Sequence, residues 1–168
     1  MKDYIKKLLS RQNIRRLLSY LLYMFLVLVF QTMVVSNFRI AGACAFILPA
    51  AVVAVGMFEG ATWGTLFGLL MGLFTDMFFI ESTITYTLLF PVIGFTTGFV
   101  SQFFINRRFV SFMVTAAIAF LATGAVQMMA TTLHDTWALS MIPTILLETL
   151  WSLPMAAIIY LPPAKWID

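Results

Sequence analysis

The sequence predicts an all-α membrane bundle of six transmembrane helices, with both ends of the chain in the cytoplasm. Three observations predict it: scarcity of charge, apolar runs of span length, and a one-sided placement of basic residues. Of the 168 residues, 62% are hydrophobic and only 10% charged. A soluble domain carries roughly 25% charged residues. A chain this poor in charge cannot cover a water-facing surface, and the bilayer is the solvent that accepts its side chains. Its length allows one domain, and six spans of about 20 residues would use most of it.

The predicted organisation is a basic cytoplasmic segment over 1–16, a single six-helix transmembrane domain over 17–161, and a short cytoplasmic tail over 162–168. The first segment holds Lys2, Lys6, Lys7, Arg11, Arg15 and Arg16. These charges anchor topology on the simpler reading. A short amphipathic helix on the anionic inner leaflet, with Ile5, Leu8 and Leu9 on one face, is the alternative. The apolar stretch Leu17 to Ser36 matches a span and exceeds the 7–15 residues of a signal core. Asn37-Phe38-Arg39 make a polar turn. The second span is expected from Ala41 to Phe58, ending at Glu59-Gly60, and the third from Ala61 to Ile80. After Glu81-Ser82-Thr83 the fourth runs from Ile84 to Ile105, with Pro91 inside it. Asn106-Arg107-Arg108 separate it from the fifth, Phe109 to Leu133. His134-Asp135-Thr136 form the next turn. The sixth runs from Leu139 to Leu161, where Pro162-Pro163 are expected to stop it.

Charge tests this map. With the N-terminus inside, every Lys and Arg lies on inner segments except Arg39, as the positive-inside rule requires. Arg107 and Arg108 join the N-terminal six as candidate membrane-surface or cytoplasmic-partner residues. The continuous apolar runs do not alternate as barrel strands would. The single cysteine, Cys44, excludes an intrachain disulfide. Its apolar surroundings (Cys44-Ala45-Phe46-Ile47-Leu48) make it a small core- or lipid-facing residue.

The most specific local pattern is a glycine ladder. Gly56, Gly60, Gly64, Gly68 and Gly72 recur every four residues, and Asp76 takes the next step. Residues four apart share a helix face, drifting by about 40° per step. Gly60, Gly64, Gly68 and Gly72 therefore offer a groove that another helix can approach closely. Packing within the bundle is the simpler use of it, and docking of a partner's helix the sharper one. An acid at the centre of a span costs roughly 2.5–3.5 kcal/mol; Asp76, about one turn from the outer end, costs less, yet it is still expected to face a partner, the bundle interior or outer water rather than lipid.

Four polar residues fall inside spans: Gln31, Asp76, Gln127 and Glu148. Thr144, Glu148 and Ser152 share one face of the sixth span, bracketed by Pro143 and Pro154. Either these groups hydrogen-bond between helices, or they line a small-molecule pocket that opens outward. Catalysis is not expected. One histidine, His134, and one cysteine supply no common metal or Cys–His set. The ladder also lacks the Lys and Ser/Thr of a phosphate loop. No cofactor and no nucleic-acid partner is implied.

The segment Gly64-Thr65-Leu66-Phe67-Gly68-Leu69-Leu70-Met71-Gly72-Leu73-Phe74-Thr75-Asp76 resembles the MreD family of bacterial rod-shape-determining membrane proteins. Members show glycines at four-residue spacing, then an Asp at the outer end of the same helix. Pro49 resembles the proline that opens the family's preceding span. Ile93-Gly94-Phe95-Thr96-Thr97-Gly98 resembles the Gly-aromatic stretch of the next one. Thr83-Ile84 stand where many members have Leu-Gly. The motif covers about 50 residues, and the layout covers the whole chain. The resemblance implies a non-enzymatic, multi-pass component of the cell-elongation (rod) complex in the cytoplasmic membrane, serving cell shape and peptidoglycan synthesis. An MreC-like protein is its implied partner, with the actin-like MreB, a RodA-type glycosyltransferase and a class B transpeptidase also linked to it. The family in turn resembles the fold of the substrate-binding subunits of energy-coupling-factor vitamin transporters, which supplies the competing reading. Against that reading, the first span lacks the Ala-x-x-x-Ala stripe those subunits use, and the outer turns are too short to form a rich lid.

Overall fold

The computed structural model describes residues 11–33, 39–40, 43–78, 84–103, 109–132 and 142–165. Among them are six helices: α1 (Arg11–Met33), α2 (Leu48–Glu59), α3 (Ala61–Phe78), α4 (Thr85–Phe103), α5 (Phe109–Thr132) and α6 (Ile142–Lys165). Two of the six are long and apolar enough to cross a membrane, through Phe109–Met129 in α5 and Ile142–Tyr160 in α6.

The predicted second span is corrected. Its first part is not helical: Arg39–Ile40 (β1) pairs antiparallel with Ala43–Cys44 (β2), with Arg39 opposite Cys44 and Ile40 opposite Ala43. Cys44 thus belongs to a two-residue ladder, not a helix. Helix starts only at Leu48, with Pro49 in its first turn, where a missing N–H costs nothing. The 12 residues of α2 reach about 18 Å at 1.5 Å per residue, against a hydrocarbon core of about 30 Å. Eleven of the twelve are buried. The run Ala50-Ala51-Val52-Val53-Ala54-Val55-Gly56 has no polar stripe, and a helix that is apolar all round belongs in a core. Its small and β-branched side chains let α1, α3, α4, α5 and α6 all pack on it.

Successive helices run in opposite directions. At one end, Tyr20 of α1 donates to Glu59 of α2 at 2.5 Å. There the Tyr160 ring of α6 also meets Phe58, Phe109 and Phe112 at 5.1–5.5 Å. At the other end, the Phe46 and Tyr86 rings meet at 5.4 Å, tilted by 40°, and Ile145 of α6 fills the space over Gly124 of α5. The start of α1 and the end of α6, which carry Arg11, Arg15, Arg16 and Lys165, therefore belong to the Tyr160 end. Lys2, Lys6, Lys7, Arg107, Arg108, His134 and Asp135 lie outside the described residues.

A second correction concerns Pro162-Pro163, which do not stop α6: the helix continues to Lys165. Proline removes the N–H that would bond the carbonyl four residues back. The carbonyl left over by Pro163 is that of Ile159, and the Tyr23 hydroxyl donates to it at 3.0 Å. A tyrosine from α1 supplies the hydrogen bond that the sequence withholds.

Candidate functional site

The ladder glycines build the closest seam in the molecule. Gly60 ends α2 with φ 93°, and its N–H bonds the Gly56 carbonyl at 3.0 Å. That left-handed conformation suits glycine, and it folds α3 back along α2. The ladder therefore spans two helices joined at a corner. Gly56 faces Thr97 and the Gly94 carbonyl of α4, and a methyl on Gly64 would lie 2.6 Å from the same carbonyl. A methyl on Gly68 would strike the Phe90 carbonyl, and one on Gly72 the Tyr86 carbonyl. Gly94 and Gly98 answer from α4, against Gly64 and Ala61. Backbone meets backbone along the α3–α4 seam, and no room remains there for a third helix.

Asp76 completes the seam. One carboxylate oxygen accepts from the Tyr86 N–H at 3.2 Å; the other accepts from the Thr87 N–H at 2.8 Å and the Thr87 hydroxyl at 2.6 Å. Tyr86 and Thr87 lie in the first turn of α4, whose N–H groups have no partner within the helix. The carboxylate also sits on the positive end of the helix dipole. The next ladder step after Gly72 thus reaches the start of α4, and the acid caps it from the neighbouring helix.

Gln31 has a different task. Residues 45–47 connect β2 to α2 inside the bundle; the Ile47 carbonyl accepts from the Ala50 and Ala51 N–H groups at 3.1 and 3.4 Å, while the Ala45 carbonyl and the Phe46 and Ile47 N–H groups turn to side chains. Gln31, 3% exposed, donates to the Ala45 carbonyl at 3.0 Å and accepts from the Ile47 N–H at 2.9 Å. Between these, the Phe46 N–H bonds the Ser152 hydroxyl at 2.9 Å, which donates to the Glu148 carbonyl at 2.7 Å. Two side chains from α1 and α6 thus satisfy the broken backbone. Irregular backbone of this kind is tolerated in lipid only where protein buries it.

Of the four polar residues singled out in the sequence, only Gln127 and Glu148 share a cavity. It lies between α5 and α6, with Thr123, Thr149, Ser152 and Phe46 also on its walls, and its volume is about 10 Å³. That is room for about one water. The Gln127 amide donates to the Tyr86 hydroxyl at 2.8 Å, and Tyr86 lies within electrostatic reach of both Asp76 and Glu148. Gln31, Asp76 and the Gln127–Glu148 pair thus lie in three separate places. Along the face shared by Thr144, Glu148 and Ser152, exposure falls stepwise from exposed to half-buried to buried.

Sequence reasoning missed Tyr20, Tyr23, Tyr86 and Thr87. Tyrosine in an apolar run is a signal that could have found the first three, because its hydroxyl needs a partner once buried. Between α4 and α5 the bundle opens into an apolar groove of about 770 Å³, lined by residues such as Val92, Thr96, Val110 and Val114. Among the described residues, no group of three or more His, Cys, Asp or Glu side chains could hold a metal ion. No family model, curated protein or solved structure matches this chain.

Proposed function

We propose that the chain is a non-enzymatic, multi-pass component of the bacterial cell-elongation machinery, of the MreD kind, crossing the cytoplasmic membrane six times with both termini inside. The observation that carries this reading is the coherence of one motif. The segment that resembles the family, Gly64 to Asp76, works here as a unit that closes α3 on α4 and caps it. The bundle otherwise faces outward with Leu, Val, Ile and Phe, including Leu22, Phe25, Leu88, Val92, Phe99, Val114, Ile118, Leu146 and Leu150, as lipid contact requires. Hydroxyls within the helices donate to their own backbone, as Thr65, Thr75 and Thr97 do at 2.7 Å. In the second span, the β1–β2 ladder and the bound residues 45–47 complete the crossing that α2 is too short to make alone.

On this reading the protein holds an MreC-like partner and, with it, the wall-synthesis enzymes. Because α4 fills the ladder, the partner docks elsewhere on the bundle. The transporter-subunit reading ranks second. It needs a ligand chamber of about 300–1,000 Å³ with a few convergent polar groups, while Gln127 and Glu148 enclose about 10 Å³.

The test is a mild-detergent pull-down of the tagged protein from native membranes, with partners identified by mass spectrometry. Recovery of an MreC-like protein with wall polymerases is expected. Recovery of ATPases with a coupling membrane subunit would overturn the scaffold reading in favour of the transporter.

A further inference from the structure

We propose that the cavity beside Glu148 binds one desolvated monovalent cation of the size of sodium. The argument starts from where the protons go. Thr123 donates to the Ala119 carbonyl at 2.7 Å, Thr149 to the Ile145 carbonyl at 2.8 Å, and Ser152 to the Glu148 carbonyl at 2.7 Å. Each hydroxyl on the cavity wall has committed its hydrogen to its own helix. What Thr123 and Thr149 leave for the cavity is oxygen lone pairs, and Ser152 adds the one that the Phe46 N–H does not occupy. To them Glu148 adds a carboxylate that has no hydrogen-bond or ion-pair partner among the described residues.

Half-buried against apolar walls, that carboxylate is favoured by a positive charge placed beside it. Oxygens from two helices with one negative charge match a single positive ion. Calcium sites, by contrast, take 6–8 oxygens, carboxylates among them. The volume, about 10 Å³, admits one ion without a hydration shell. Bound there, the ion would tie α5, through Thr123, to α6, through Glu148 and Thr149. Through Ser152 it would also brace the break before α2. Ion occupancy thereby sets how firmly the half-length helix is held, whatever the partner of the whole protein.

The experiment is thermal unfolding of the full chain in detergent, at fixed ionic strength, in NaCl, KCl and choline chloride. A saturable rise in Tm with Na⁺, smaller in KCl and absent in choline, is expected. Glu148→Gln keeps the shape, removes the charge and should abolish the rise. Thr149→Val keeps the volume, removes one oxygen and should raise the Na⁺ concentration at half-effect about tenfold, the equivalent of 1.4 kcal/mol. Thr149→Val decides the matter if Glu148→Gln does not fold. Equal Tm in the three salts would overturn the proposal and leave a water in the cavity. An equal rise in KCl, or a Na⁺ effect unchanged in the variants, would overturn it as well.

Discussion

The two seams that flank α4 are built on opposite plans. Toward α3, Gly64, Gly68 and Gly72 bring backbone against backbone. Toward α5, Leu89, Val92, Val110, Val114 and Ile118 leave an apolar groove of about 770 Å³. Both seams are apolar, so hydrophobicity does not explain the difference. In the membrane setting proposed above, helices gain nothing by hiding apolar surface, and close approach depends on side-chain size and on interhelical hydrogen bonds. The α3 seam has glycines and the Asp76 cap. The α5 seam has β-branched walls and, near its Tyr86 end, the Gln127–Tyr86 bond.

The largest effect should come from filling the close seam. Gly68→Leu combined with Gly72→Leu would drive side chains into the carbonyls of Phe90 and Tyr86. The expected cost exceeds about 3 kcal/mol, the upper end of ordinary overpacking, and is read as loss of a monodisperse, folded species in detergent. Wild-type stability and partner recovery in this variant would refute the close-packing account. Next comes Gln31→Leu, which orphans the Ala45 carbonyl and the Ile47 N–H. At about 1–3 kcal/mol for each unsatisfied group, Tm should fall sharply, and an unchanged Tm would mean that the break before α2 is satisfied in another way.

Asp76→Ala should cost about 1–2 kcal/mol as a lost cap. Hydrogen exchange should accelerate at the amides of Tyr86 and Thr87 before it does elsewhere in α4. Uniform exchange along α4 would show that the carboxylate does not cap it. Tyr23→Phe removes one bond to Ile159 and should cost roughly 0.6–1 kcal/mol, with fraying confined to the α6 turn that holds Pro162 and Pro163. The smallest effect sharpens the contrast between the seams. Val114→Leu extends a side chain that already faces open space in the groove, and its stability should stay within about 0.5 kcal/mol of the parent. A loss as large as that of the glycine variants would show that the groove is packed in solution.

The positions of the helices were largely legible in the sequence, because apolar runs, short polar turns and glycine spacing are local signals. So was the corner at Glu59-Gly60, where only the residue without a side chain turns easily. Partners of the polar groups were not legible. Asp76 reads as a costly acid until α4 folds back and presents two N–H groups to it. Gln31 reads as one wall of a pocket until the Ala45 carbonyl and the Ile47 N–H, which precede the first turn of α2, are seen to need it. The prolines at 162 and 163 read as a stop because the rule concerns the helix alone, and the donor that overrides it stands 140 residues earlier, at Tyr23.

By itself, then, the sequence determined which segments are apolar, where the chain turns, and that one stripe carries glycine at every fourth residue. Those features follow from side-chain chemistry along a continuous chain. Only the tertiary structure decided which helix fills that stripe, that the second apolar run becomes a buried half-length helix, and which buried donor meets which acceptor. Such pairings join residues far apart in sequence, and the need to satisfy every buried polar group constrains them only once the helices are packed.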